Sequence, residues 1–175
     1  MKTLELKNGL KDYARDTRLN FEAVLSEEGA PGLNRIQIWG TALSCAYATR
    51  SKALIDAVEG DAVEILSPEY VEAAKGAATI MAMNNVYYRF LHLSDDKEFS
   101  KMPARLRMNV IGKPGIPKVD FELFCLAVSA IAGCGMCVNS HIAEVRKAGL
   151  SNEGAQSSVR IASVINAAAQ ALAIG

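Results

Sequence analysis

From Leu123 to Ile142 the chain carries no formal charge. A membrane span needs about twenty mostly apolar residues, so the length invites that reading. Two features oppose it. Gly133 and Gly135 interrupt the run, and it closes on Asn139-Ser140-His141. The stretch reads instead as two buried helices reversing at Gly133. This hairpin constrains the rest of the chain, because two helices apolar nearly all round must be covered by others.

The remaining sequence supplies those helices. Half of the 175 residues are apolar but only 6% are aromatic, a composition that favours close-packed helices in an all-α, multi-helix bundle. Strand alternation is scarce. Short helical pieces are expected over Leu4–Tyr13, with an amphipathic helix over Thr17–Ser26 burying Phe21, Val24 and Leu25. Glu28–Gly32 is a turn. Helices follow over Asn34–Thr49 and Lys52–Ile65. Ser67-Pro68 marks a start, with Ser as cap and Pro at the first helical position, and that helix should run to about Arg89. Ser94–Gly115, with Pro103 and Pro114, reads as irregular. Pro117 opens the first arm of the hairpin, the second arm runs to Gly149, and Ser151 caps a last helix reaching nearly to Ile174.

Leu66-Ser-Pro-Glu69 and Leu150-Ser-Asn-Glu153 echo one another 84 residues apart, each before a long Ala-rich helix. At that offset Arg50, Ala53 and Ala57 stand where Cys134, Cys137 and His141 do. The expectation is one domain, 1–175, with a duplicated helical unit. Its N-terminal half lacks redox cysteines, and its C-terminal half, about 117–175, holds the site.

That site is Cys134-Gly-Met-Cys137-Val-Asn-Ser-His141. Residues three and four apart share a helix face, so the two thiols and the imidazole form one stripe if a helix starts near Cys134. The sulfurs can close a disulfide over the first turn, and His141 can take a proton from Cys137 one turn away. A helix N-terminus also favours the thiolate. Two other readings stand beside this one. A Cys-x-x-Cys can be half of a zinc site, although no fourth ligand is evident, and two cysteines in an apolar helix can be inert.

Glu122 borders the apolar run. In an antiparallel hairpin it lies about 16 Å from the turn and His141 about 12 Å, near enough to meet directly or through water. A carboxylate there would fix the imidazole tautomer and raise its basicity. Equally, Glu122 reads as an exposed first-turn acid complementing the helix dipole. Glu144, three residues after His141, is a rival. Cys45 and Cys125 read as buried small hydrophobes, Met81 and Met83 as core, and His92 as a packing or capping residue. Net charge is zero, so no global field recruits nucleic acid or anionic membrane. Met1–Lys7 has no signal-peptide core. A cytoplasmic location is therefore expected, where a Cys-x-x-Cys is more often catalytic than structural.

Asp120–His141 closely resembles the active-site region of the alkyl hydroperoxide reductase D family, within the carboxymuconolactone decarboxylase-like superfamily. Trp39-Gly-Thr-Ala-Leu, Ala48-Thr-Arg, Met83–Arg89 and Leu106–Pro117 extend the likeness over nearly the whole chain. The resemblance implies an antioxidant thiol–disulfide oxidoreductase and weak peroxidase on an all-helical fold with an internal repeat. It makes Cys137 the peroxidatic thiol, Cys134 the proton donor and resolving thiol, His141 the base and Glu122 the relay carboxylate. It implies a homotrimer with no bound cofactor or metal. Electrons would come from dihydrolipoamide on a lipoylated acyltransferase, recharged by lipoamide dehydrogenase, and pass to the peroxiredoxin alkyl hydroperoxide reductase C. Better-known members carry a histidine just before the second cysteine. Met136 stands there, so either that histidine is dispensable or direct peroxidase activity is reduced. A non-redox decarboxylase of the superfamily is the alternative enzyme, but it has no use for two thiols. A structural zinc protein is the alternative outside enzymes.

Overall fold

The computed structural model describes residues 1–175 and contains no strand. Ten helices follow in order: α1 (Lys2–Gly9), α2 (Arg15–Ala23), α3 (Arg35–Thr49), α4 (Lys52–Ala62), α5 (Pro68–Leu93), α6 (Glu98–Lys101), α7 (Asn109–Gly112), α8 (Lys118–Ala132), α9 (Gly135–Lys147) and α10 (Asn152–Ile174). A 3-10 turn at Asp12–Ala14 joins α1 to α2.

The starts of α3 and α10 are written in local chemistry. Asn34 accepts the Gln37 N–H and the Gln37 side chain accepts the Asn34 N–H, which closes a capping box on α3. Ser151 accepts the Gly154 N–H and caps α10. Ser67 occupies the same position before α5, but its hydroxyl donates to the Glu69 carboxylate rather than accepting a backbone N–H. The start of α1 is held from a distance. Asp61 of α4 accepts the Lys2 and Thr3 N–H groups and the Thr3 hydroxyl.

The helix bounds repeat as the echo foretold. α3, α4 and α5 begin 83, 83 and 84 residues before α8, α9 and α10. In the core α3 and α8 pack against each other, and each touches both α5 and α10. Phe121, Phe124, Leu126, Ile38, Leu43, Ile161 and Ile165 are fully buried there. Burying a side chain of this size contributes about 2 kcal/mol. The α3–α8 approach depends on Gly40, where a Cβ would run into the Phe124 ring. Gln37 and Tyr70 both donate to Asp120, which ties α3, α5 and α8 at one end. α10 is long and apolar enough to cross a membrane, yet here it packs on α2, α3 and α8.

The ends of α4 and α5 differ from expectation. α4 stops at Ala62 and unwinds into a turn over residues 63–65. α5 continues four residues past Arg89, since Phe90–Leu93 holds no breaker, and stops only at Ser94. The segment after α5 is irregular as expected, apart from the single turns α6 and α7.

Candidate active site

Gly133 ends α8 in the left-handed conformation, with φ +68°, which a glycine adopts without a Cβ penalty. The chain reverses there and Cys134 becomes the cap of α9, its sulfur accepting the Cys137 N–H at 3.3 Å. Cys134 and Cys137 are joined as a disulfide with their Cα atoms 5.3 Å apart. The two sulfurs are placed differently. Cys134 is wholly buried, whereas Cys137 borders a cavity of about 370 Å³.

His141 follows one turn after Cys137 and borders the same cavity. Its Nδ1 lies 2.6 Å from Glu122 Oε2, across the α8–α9 hairpin. Glu122 is 4% exposed; the alternative of a solvent-exposed first-turn acid does not hold. Burial leaves the carboxylate few partners: the imidazole and, at 4.0 Å, the Lys118 ammonium. Glu144 is not the imidazole's partner. It turns to Lys118 at 3.0 Å, and that bond lowers the Glu144 pKa and raises that of Lys118.

Four of the sequence-derived candidates, Cys134, Cys137, His141 and Glu122, therefore come together. The others do not join them. Cys45 and Cys125 are fully buried. Burial pushes both thiols up, outweighing a hydrogen bond from Ser44 at Cys45 and reinforced by the Glu122 charge at Cys125. His92 is exposed in the last turn of α5, where a cation complements the helix dipole.

Met81 is more than the core residue expected. It borders the cavity, with its sulfur 3.2 Å from His141 Nε2 and 3.4 Å from the Ser129 hydroxyl. Tyr88, Met108, Ile111 and Met136 also line the cavity. The sequence signal was Asn84-Asn85 beside Met81 in the uncharged stretch Gly76–Tyr88 of α5; both asparagines are buried, and Asn85 accepts from Ser129. A larger cavity of about 480 Å³, between Tyr47, Lys75, Arg89 and Ile131, holds neither redox cysteine.

A dithiol with one sulfur at a cavity wall, the other behind it and an imidazole–carboxylate pair alongside can form and break a disulfide while moving protons. Comparison with known proteins agrees. The model of the carboxymuconolactone decarboxylase family matches residues 97–174. An alkyl hydroperoxide reductase AhpD of Coxiella burnetii is 51% identical over 94% of this chain and 93% of its own length. That of Rhodospirillum centenum is 51% identical over 95% and 88%. That of Streptomyces griseus is 51% identical over 93% and 90%. The chain belongs to the alkyl hydroperoxide reductase AhpD family.

Proposed function

We propose that this protein reduces alkyl hydroperoxides through the Cys134–Cys137 dithiol and passes reducing equivalents to a peroxiredoxin. The observation that carries the reading is the asymmetry of the pair, one sulfur at the cavity wall and one buried beneath it, with His141 and Glu122 alongside.

In the reduced enzyme Cys137 gives its proton to His141, whose charge Glu122 stabilises. The Cys137 thiolate attacks the terminal peroxide oxygen and the O–O bond breaks. The alkoxide leaves, taking the Cys134 proton to become the alcohol, and Cys137 is left as a sulfenic acid. The Cys134 thiolate attacks the Cys137 sulfur, hydroxide leaves and is protonated, and the disulfide forms. Two electrons move from the sulfurs to the peroxide. Flexible methionines at positions 108 and 136 give the cavity a wall that adapts to alkyl chains of different shape.

An external dithiol closes the cycle by exchange. The family resemblance supports a dihydrolipoyl group on an acyltransferase, recharged by lipoamide dehydrogenase, as that donor. It also supports alkyl hydroperoxide reductase C as the peroxiredoxin, a homotrimeric assembly, a cytoplasmic location, and work without a bound cofactor or metal. The test is an NADH-coupled assay with lipoamide dehydrogenase, lipoamide and cumene hydroperoxide, with and without the peroxiredoxin. NADH oxidation that needs both cysteines supports the proposal. Turnover surviving Cys137→Ser, or stoichiometric zinc held by the two thiols, would sink it.

A further inference from the structure

His141 Nε2 faces the sulfur of Met81 at 3.2 Å. Met81 is a buried residue of α5, sixty positions away in sequence. A thioether has lone pairs and no proton to give, so the contact is attractive only when Nε2 carries a hydrogen. The other nitrogen, Nδ1, stands 2.6 Å from a Glu122 carboxyl oxygen, and a hydrogen lies between those two atoms as well. Two hydrogens are therefore shared by the Glu122–His141 pair, as imidazolium with carboxylate or imidazole with carboxylic acid. In either form the pair is neutral overall, which a buried site tolerates at least cost. The titratable groups facing it are Lys118 and Cys125 from α8, Glu144 and the disulfide-bonded Cys137 from α9, and Tyr88 from α5. Met81 is itself fixed by burial, and the Ser129 hydroxyl 3.4 Å from its sulfur donates to Asn85.

We infer that Met81 is a positioning residue whose sulfur selects the imidazole bearing Nε2–H, so that the relay is loaded with a proton in the disulfide form. His141 then enters the reductive half of the cycle as an acid. A donor thiolate attacks Cys137, the disulfide breaks, and Cys134 leaves with the electron pair and takes the proton of that first donor thiol. The donor's second thiol sheds its proton to solvent and attacks the donor sulfur of the mixed disulfide. Cys137 leaves with the electron pair and takes the Nε2 proton. The relay is now empty and able to act as base toward the next peroxide. The proton lost to solvent is matched by the one hydroxide takes up when the disulfide re-forms. This use in turnover rests on the reductase reading; the protonation assignment does not.

The chain has two histidines, so nitrogen-15 NMR of the labelled imidazoles gives a simple spectrum, with exposed His92 as an internal reference. In the oxidised protein at neutral pH, His141 Nε2 should carry a directly bonded hydrogen. Met81→Leu removes the acceptor and should shift the ring to the tautomer with Nε2 bare. Met81→Gln offers a carbonyl oxygen in place of the sulfur and should restore Nε2–H. Reduction of the disulfide by dihydrolipoamide should slow roughly tenfold in Met81→Leu and recover in Met81→Gln, a partial loss of acid catalysis. A bare Nε2 in the oxidised wild type would overturn the inference, and that measurement needs no variant to fold. An unchanged Nε2 signal in a folded Met81→Leu protein would overturn it too. Wild type that shows Nε2–H but resists every dithiol would instead count against the reductase reading and leave the role of Met81 standing.

Discussion

Glu122 and His141 meet at 2.6 Å although nineteen residues separate them in sequence. Both are buried, and this is the shortest polar contact of either side chain. The two should therefore behave as one unit when mutated. His141→Ala should slow peroxide reduction by ~10²-fold, and Glu122→Gln by about tenfold. The double variant should be little worse than His141→Ala alone. Raising the pH should rescue both single variants, because hydroxide then supplies the thiolate of a thiol near its ordinary pKa of about 8.5. The rate of Cys137 alkylation against pH is the measurement. Additive losses, or a Cys137 titration that neither change moves, would make the pair structural.

Cys45 and Cys125 should be spectators. Each is fully buried with its thiol pushed up by burial, so neither supplies a thiolate near neutral pH. Replacing either by Ala should leave turnover within about twofold and cost about 1 kcal/mol of stability through the lost buried volume. Denaturant melts and the coupled assay check this. An inactive, folded variant would reveal a third redox cysteine.

The knot at Asp120 should set the protein's tolerance of alkali. Burial and the Asp120 carboxylate push the Tyr70 phenol up to about 12. An unfolded tyrosine titrates near 10, so this contribution to stability is complete below about pH 10 and is lost as pH rises through the folded value. Asp120→Asn should lower the Tyr70 titration, read from tyrosinate absorbance. Asp120→Ala strands Gln37 and Tyr70 without an acceptor and should cost about 3 kcal/mol in a denaturant melt.

Met136 borders the cavity and is 44% exposed, so Met136→His has room. A second imidazole beside Cys137 should raise direct peroxide reduction several-fold and leave exchange with dihydrolipoamide unchanged. Parallel stopped-flow measurements with peroxide and with dithiol separate the two. An equal change in both would show that position 136 acts on the thiol itself.

What could be read from the sequence was what local chemistry decides. Pro68 and Ser151 announce their helices because the chemistry of a helix start acts within four residues. Counting residues away from Gly133 brought Glu122 and His141 to similar levels, since one tight turn fixes the register of a helical hairpin, but it left an exposed Glu122 equally open, and the family resemblance chose between them. Met81 could not be placed in that way. Its contact with His141 requires α5 to pack on α9, and helical spacing alone makes a buried methionine at the site look like any other in the core. The hold of Asp61 on α1 was hidden for the same reason. The left-handed Arg50 that ends α3, with φ +61°, carries no glycine to announce it.

The interleaving of the two halves has a consequence for how the chain comes apart. α3 and α8 each touch both α5 and α10, so the N-terminal half completes its core with helices from the C-terminal half, and the reverse holds. Cutting the backbone within residues 94–116 would sever no core helix. Neither fragment would then own a closed core, and each alone should remain loosely ordered with its apolar faces bare. Mixed together they should reassemble, and an imidazole on one piece would come to rest against a methionine supplied by the other.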